Sequence, residues 1–347
     1  MSALGVLPGP GDAGPLQSLL EADGVTDVLV NGGGAVWVDR GDGLEAVPLR
    51  LGGEEAVRTL AVRLAAQGGR RLDAAAPWVD VRLPGGVRLH AVLAPVAPEG
   101  TCLSLRVLRD RGLPLAELVG DAGCAALLEA IVLARLALVV TGGTGSGKTT
   151  LLSALLSCVD PAERLVLVED AGELRPRLPH VVRLEARPAN VEGAGGITLR
   201  DLVRQALRMR PDRIVVGEVR GAEVSELLLA LNTGHEGGAT TLHANGAADV
   251  PARLEALGAL AGLPRDALHA QAGAALHVVV HLRRDPRVRG GRRRVTEVGL
   301  VGRSRAGGLV VEVAATVGAG GLVPGPAASA LARLLAARGA DPRTLAA

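Results

Sequence analysis

The residues with the clearest chemistry are Gly142-Gly143-Thr144-Gly145-Ser146-Gly147-Lys148-Thr149, followed by Thr150, a match to G-x-x-x-x-G-K-[ST]. They stand where such a motif must stand, between the apolar run LALVV (residues 136–140) and the helix-forming stretch TTLLSALLSCV (149–159). Glycines in this pattern let the backbone fold around phosphate groups. Main-chain N–H groups and the helix N-terminus supply positive potential, and the Thr149 hydroxyl can ligate Mg2+. Lys148 would reach the β- and γ-phosphates of a nucleoside triphosphate as a point charge. It is the single lysine of the chain, the other 37 of the 38 basic residues being arginine. A planar guanidinium does not replace a compact ammonium inside a phosphate-wrapping loop. The drift toward arginine therefore stops at the position where the chemistry forbids it.

Hydrolysis at such a loop needs a carboxylate in the Mg2+ shell and a group that orients water. Two acidic positions follow apolar runs. IVVGE places Glu218 just past residues 214–216, where a Walker B acid belongs, and LVLVED places Glu169 and Asp170 past 165–168, with Glu173 beyond. In an open parallel sheet the C-terminal strand ends line one crevice, so the loop and these acids are expected together. Spacing alone does not decide whether Glu169 or Glu218 activates water. The stretch NTGHEGGATTLHAN (232–245) gathers polar residues around a short strand. His243 follows that strand beside the expected crevice, where a γ-phosphate contact is plausible chemistry. His235 and His243 are eight positions apart, which does not fit the helical zinc pair H-E-x-x-H.

The elements that must hold these groups are legible in the hydrophobic pattern. TDVLVNGGGAVWV (26–38) reads as a hairpin turning at NGGG; 78–83 and 87–96 form a second one around Gly85-Gly86, with a further strand over 102–108 and a helix over 54–67. Later, strands at 136–140, 165–168, 214–216 and 239–242 alternate with helices at 125–134, 149–159, 198–209 and 223–231. That alternation implies a mainly parallel sheet covered on both faces. Runs 276–282 and 295–301 read as a hairpin with an arginine-rich tip, and 327–338 as a closing helix. The expected division is a flexible leader (1–15), a small mixed α/β domain (16–108), a linker (109–123) and an α/β domain (124–347).

Composition narrows the function classes. The 347 residues include 48 Gly and 20 Pro, yet 48% hydrophobic content opposes disorder. Two Trp, no Phe, no Tyr and a net charge of +2 leave little for base stacking or bulk nucleic-acid binding, so no specific nucleic-acid partner is expected. The longest apolar stretch, 125–141, is broken by Glu129 and Arg135 and is not a bilayer span. With no signal-peptide pattern, a cytosolic chain is expected. Cys102, Cys124 and Cys158 are too scattered for a disulfide framework or a zinc site and read as small core residues. Arg200, Arg204 and Arg208 share one helical face, by default a solvated, salt-bridged one, with a subunit interface as the sharper alternative. The tip LRRDPRVRGGRRR, running from Arg283 to Arg294 after its leucine, is a solvated hairpin or a contact for acidic lipid. In the second case each arginine would contribute about 1 kcal/mol.

Taken in order, GGTGSGKTT, LVEDAGEL, RMRPDRIVVGEVRG and NTGHEGGATTLHAN resemble the Walker A, Asp-box, Walker B and His-box motifs of the type II/IV secretion-system ATPases. The likeness is strongest to the tight-adherence (Tad/Cpa) pilus ATPases and their relatives in conjugal transfer. It extends upstream through DVLVNGGGAVWV and GRRLDAAAPWVDVRLPGGVRLHAVLAP and covers most of residues 24–300. The resemblance implies a RecA-like P-loop domain preceded by a PAS-like α/β domain, with ATP and Mg2+ as cofactors. It also implies a homo-hexamer at the cytoplasmic face of the membrane that pushes on inner-membrane platform proteins. By the same resemblance Glu169 takes the place of the catalytic glutamate, Glu218 that of the Walker B acid and Mg2+ partner, and His243 that of the His-box histidine. Arg82, Arg88 and Arg106 match the N-domain arginines that approach the phosphates. The long tetracysteine insertion of the pilus extension enzymes is missing, which favours the shorter branch. Two rival functions are a P-loop regulator with little turnover and a DNA-translocating RecA-like motor.

Overall fold

The computed structural model describes residues 12–41, 43–107, 113–189, 193–284, 293–318, 320–341 and 345. The chain divides into two compact units, Met1–Arg111 with Pro286–Gly291 and Gly112–Asp285 with Arg292–Ala347.

The first unit contains α1 (Gln17–Glu21), β1 (Asp27–Asn31), β2 (Ala35–Asp39), β3 (Leu44–Arg50), α2 (Glu54–Gln67), β4 (Trp78–Arg82), β5 (Val87–Val92) and β6 (Cys102–Val107). Its strands form an antiparallel sheet in the order β3-β2-β1-β6-β5-β4. Alternation along each strand sends Val28, Val30, Val81, Leu89 and Leu105 to one face, where they share a core with Val57, Leu60, Ala61 and Leu64 of α2. The other face carries polar residues, as expected of an antiparallel sheet covered on one side. β3 was not expected. Its sequence LEAVPLR is exposed or half-exposed along its length and shows no buried stripe. The leader expected over 1–15 lies mostly outside the described residues, but its end differs from expectation. Ala13 and Leu16 are fully buried in the core and Gly14–Leu16 is a 3-10 turn, because apolar contact with the α2 side fixes this stretch.

The second unit contains α3 (Leu115–Val119), α4 (Ala122–Leu133), β7 (Leu138–Gly142), α5 (Lys148–Leu156), β8 (Leu165–Glu169), β9 (Val181–Glu185), α6 (Leu199–Ala206), β10 (Arg213–Val216), α7 (Val224–Asn232) and β11 (Ala239–Leu242). It continues with α8 (Val250–Leu260), α9 (Arg265–Ala275), β12 (Val278–Arg284), β13 (Arg293–Arg303), β14 (Leu309–Gly318), β15 (Gly321–Pro324) and α10 (Ala328–Ala337). The sheet order is β15-β14-β13-β12-β7-β11-β10-β8-β9. Pairing is parallel from β12 to β9 and antiparallel from β12 to β15.

The central strands β7, β8, β10 and β11 are buried at every residue, the pattern of a parallel sheet covered twice. Leu138, Val140, Leu165, Leu167 and Val215 face one core with α4, α5 and α10; Val139, Val166, Val168, Ile214 and Val216 face the other with α6, α7, α8 and α9. The linker expected over 109–123 is shorter than that. Residues 109–112 lie outside the described residues. Leu115 and Val119 of α3 are buried in the second unit's core, and Asp121 caps α4 by accepting from the Cys124 amide at 2.7 Å.

Candidate active site

The parallel register brings the chemistry to one sheet edge. Thr141 of β7 pairs with Leu242 of β11, Thr240 of β11 with Val216 of β10, and Val216 with Val168 of β8. Each strand then delivers its polar residue just past the apolar run. In spatial order these are the Gly142 loop, His243, Glu218 and Glu169. Their order in sequence is different, so the sheet permutation does the assembly.

Gly142, Gly145 and Gly147 have φ of 150°, 70° and 94°, values closed to most side chains, and they turn the chain from β7 into α5. A Cβ on Gly142 would meet both the Leu282 carbonyl oxygen and Ser146 Oγ at 2.6 Å. Gly143, Thr144, Gly145 and Thr150 are exposed, whereas Ser146 and Lys148 are buried. Lys148 Nζ donates to the carbonyls of Gly142 (3.0 Å) and Gly143 (3.1 Å) and lies 3.5 Å from His243 Nδ1. On the far side His243 Nε2 is 2.9 Å from Glu218 Oε1, and Arg220 donates to Glu218 Oε2 at 2.6 Å. A neutral imidazole whose Nδ1 accepts from the ammonium fits the lysine contact; the Glu218 pair is close without an aligned hydrogen bond, and Glu218 Oε1 has no hydrogen-bond partner among the described residues. Burial and the Lys148 charge push the His243 pKa down. Burial also lowers that of Lys148, and Glu218 opposes the shift.

Glu169 stands apart in environment. It is 3% exposed, and burial raises its pKa to about 7 despite hydrogen bonds from the Leu174 and Glu173 amides to Oε1, both 2.9 Å. Its Oε2 is buried and has no hydrogen-bond partner among the described residues. The Glu169 hydrogen bonds curl residues 170–174 back toward α5, where Thr149 Oγ1 donates to Glu173 Oε2 at 3.4 Å. Gly217 makes room for this arrangement, since a Cβ there would lie 2.9 Å from Glu169 Cγ.

These residues fit a nucleoside triphosphate with Mg2+. The glycine turn and α5 N-terminus would form a phosphate cradle, and buried Ser146 Oγ has no partner among the described residues. Thr149, Glu173 and Glu218 offer the hard oxygen donors that Mg2+ takes alongside phosphate oxygens. Of the groups here, Gly217 and Arg220 were not singled out from sequence, and Glu173 was named only as an acid beyond Glu169. The signal for Glu173 was its position four residues past Glu169, which means nothing until the Asp-box turn is known.

The first unit holds Arg82, Arg88 and Arg106 on one rung: Arg82 pairs with Arg88 and Arg88 with Arg106 across β4, β5 and β6. Arg88 forms a two-pronged pair with Asp80 at 2.9 and 2.7 Å, and Arg106 donates to Asp27 at 3.2 Å. In the second unit Arg200 and Arg204 both bind Glu226 Oε1, at 2.6 and 2.8 Å, and Arg208 donates to the Arg204 carbonyl. That stripe is a salt-bridged face within the subunit.

A profile of the family described as "Type II/IV secretion system protein" matches residues 10–306. The chain belongs to that family. A putative conjugal transfer protein of Mycobacterium tuberculosis is 61% identical over 299 residues, covering 83% of this chain and 84% of the relative. A conjugal transfer protein of Rhizobium radiobacter, TrbB, is 33% identical over 284 residues, covering 79% and 83%. Among solved structures, the pilus retraction motor PilT with bound ADP superimposes with a TM-score of 0.59 at 22% identity, over 82% of this chain and 81% of that one. At that identity the likeness is one of fold. It agrees with the mixed α/β architecture expected for this secretion family.

Proposed function

We propose that this chain is a Mg2+-dependent ATPase motor of the secretion family, working as a homo-hexamer at the cytoplasmic face of the membrane. It would drive a Tad-type pilus, type II/IV secretion or conjugal transfer by pushing on inner-membrane platform proteins. The observation that carries this reading is the contact chain Lys148–His243–Glu218–Arg220 beside a buried Glu169 whose pKa is raised to about 7. A nucleotide-binding module has no need of a buried carboxylate poised near neutrality, while water activation does.

When bound, Mg2+ and ATP supply the electrophilic phosphoryl group and its counter-charge. Gly142 to Thr150 wrap the phosphates, and Lys148 neutralises them. Thr149 would hold the metal, and Glu173 and Glu218 would supply oxygen donors to it. Glu169 accepts the proton of the attacking water at Oε2, the oxygen without a hydrogen-bond partner among the described residues. His243 acts as a positioning residue, keeping ammonium and carboxylate in register. Arg82, Arg88 and Arg106 are assigned the phosphate-approaching task that the family's arginines have. No helix among the described residues is long and apolar enough to cross a membrane, and membrane attachment is assigned to the platform partner. Contact of acidic lipid with the 283–294 tip is a secondary route.

The test is phosphate release by the full chain with and without Mg2+, together with sedimentation in ATP. Expected are Mg2+-dependent turnover and a sixfold assembly. Nucleotide-bound rings without turnover would favour a regulator. Turnover strongly stimulated by DNA, with steep salt dependence, would favour a DNA translocase.

A further inference from the structure

Residues 285–292 of the arginine-rich tip lie outside the described residues, but Arg284 and Arg293, which flank them, approach the loop of residues 142–149. β12 runs parallel to β7 with Leu282 opposite Gly142, so Arg284 follows two residues past the point where the loop begins. β13 returns with Arg293 opposite Arg284. A Cβ built on Gly145 would lie 3.6 Å from Arg284 Nη1, and one on Gly147 would lie 3.4 Å from Arg293 Cδ. Both glycines are in the cradle, and both arginines belong to the same unit as the cradle. A mainly apolar cleft beside α5, with Leu118, Val119 and Leu151 in its wall, is bordered by Ser146, Gly147 and Arg293, while Arg284 lies outside it. Ser146, 2% exposed, contributes the buried hydroxyl without a partner among the described residues.

We propose that Arg284 and Arg293 form a cation rung, supplied by the same subunit, that binds the phosphate chain of the nucleotide from the side opposite Lys148. The proposal rests on the P-loop being an ATP site and extends it. Like charges directly opposite on an antiparallel pair repel, and a phosphate bridging the two guanidiniums would offset that repulsion. Guanidinium forks match phosphate oxygens two at a time, which a lysine at the same place would not. The glycines at 145 and 147 serve two ends: they shape the loop and let the arginines come close. Phosphate recognition is then shared between the α5 N-terminus and the paired ends of β12 and β13.

The experiment is displacement of a fluorescent ATP analogue from the full chain by ATP, by ADP and by inorganic pyrophosphate, with Mg2+ present. The variants are Arg284→Ala/Arg293→Ala, the corresponding double Lys variant, the single Arg284→Gln, and Arg305→Ala as a control at an exposed site. The double Ala variant is expected to lose at least about tenfold in affinity for ATP and for pyrophosphate. The double Lys variant should recover part of the loss, and Arg305→Ala should match wild type. If the double Ala variant does not fold, Arg284→Gln must still weaken pyrophosphate several-fold. Wild-type affinity in folded Arg284→Gln and double Ala proteins overturns the rung while leaving the ATP site intact. Loss of binding to anionic phospholipid vesicles with unchanged nucleotide affinity also overturns it, in favour of a lipid headgroup contact. Failure of wild type itself to bind any of the three ligands overturns the ATP site and the rung together.

Discussion

The two ends of one parallel sheet treat buried charge in opposite ways. At the N-terminal edge Arg213, 2% exposed, donates to both oxygens of Glu163 at 2.8 and 2.9 Å and to the carbonyls of Val132 (2.9 Å) and Gly237 (3.4 Å). Arg135 also pairs with Glu163. The cluster ties α4, the chain before β8 and the start of β10 into one network. At the C-terminal edge Glu169 is as buried as Arg213, yet one of its oxygens lacks a partner among the described residues, as does Ser146 Oγ. Buried polar groups are ordinarily satisfied. Where a network is complete within the protein its role is to hold the fold. At the C-terminal edge we assign the missing partners of Glu169 and Ser146 to the proposed nucleotide and its attacking water.

Several substitutions would break or sharpen this contrast. Lys148→Ala and Glu169→Gln should each lower the proposed hydrolysis by about 10³-fold or more, seen as phosphate release, with thermal midpoints near wild type. Lys148→Ala should also weaken ATP binding, whereas Glu169→Gln should retain it. Arg213→Met should cost about 1–3 kcal/mol in chemical denaturation, because it leaves the buried carbonyls of Val132 and Gly237 without this donor and Glu163 with Arg135 alone, while turnover per folded molecule stays near normal. If instead it abolished turnover with stability intact, the division between the two edges would fail. Gly217→Ala forces a Cβ to within 2.9 Å of Glu169 Cγ. It should lower turnover by about tenfold, with a smaller effect on ATP affinity. The smallest effect belongs to Arg200→Ala. Its partner Glu226 keeps Arg204, so the cost in denaturation should stay under about 1 kcal/mol.

The sequence exposed what depends on local pattern. β7, α5, β8, β10 and β11 are continuous apolar runs or periodic helices, and the loop glycines with Lys148 are a contiguous motif. Lost were the elements whose sequence lacks a buried stripe. β3 and β9 are edge strands carrying exposed Glu and Arg, and α8 and α9 are too rich in Ala and Gly to show a clear polar face. The site residues divide the same way. Glu169, Glu218 and His243 each follow a strand, so topology alone could assemble them. The contact of Glu173 with Thr149 depends on how 170–174 turns back on Glu169. The approach of Arg284 and Arg293 to the loop depends on β12 lying beside β7, a crossover that no short-range pattern encodes.

Glu169 is the proposed proton acceptor at the C-terminal edge of the sheet. Its pKa is raised from 4.5 to about 7, so the folded chain keeps it protonated across that interval. Stability that the held proton confers is present below pH 4.5 and is lost as pH rises through about 7, while the carboxylate able to take a proton appears over the same upper range. The direct measurement is single-turnover ATP hydrolysis from pH 5 to 9 for wild type, Glu169→Gln and Glu218→Gln. The account predicts a wild-type rate that climbs with a midpoint near 7 and a Glu169→Gln protein that binds ATP but hydrolyses almost none at any pH. Glu218→Gln should be slower yet retain the same acid limb. A Glu169→Gln protein with near-normal turnover and the same acid limb would contradict the account and move the base elsewhere.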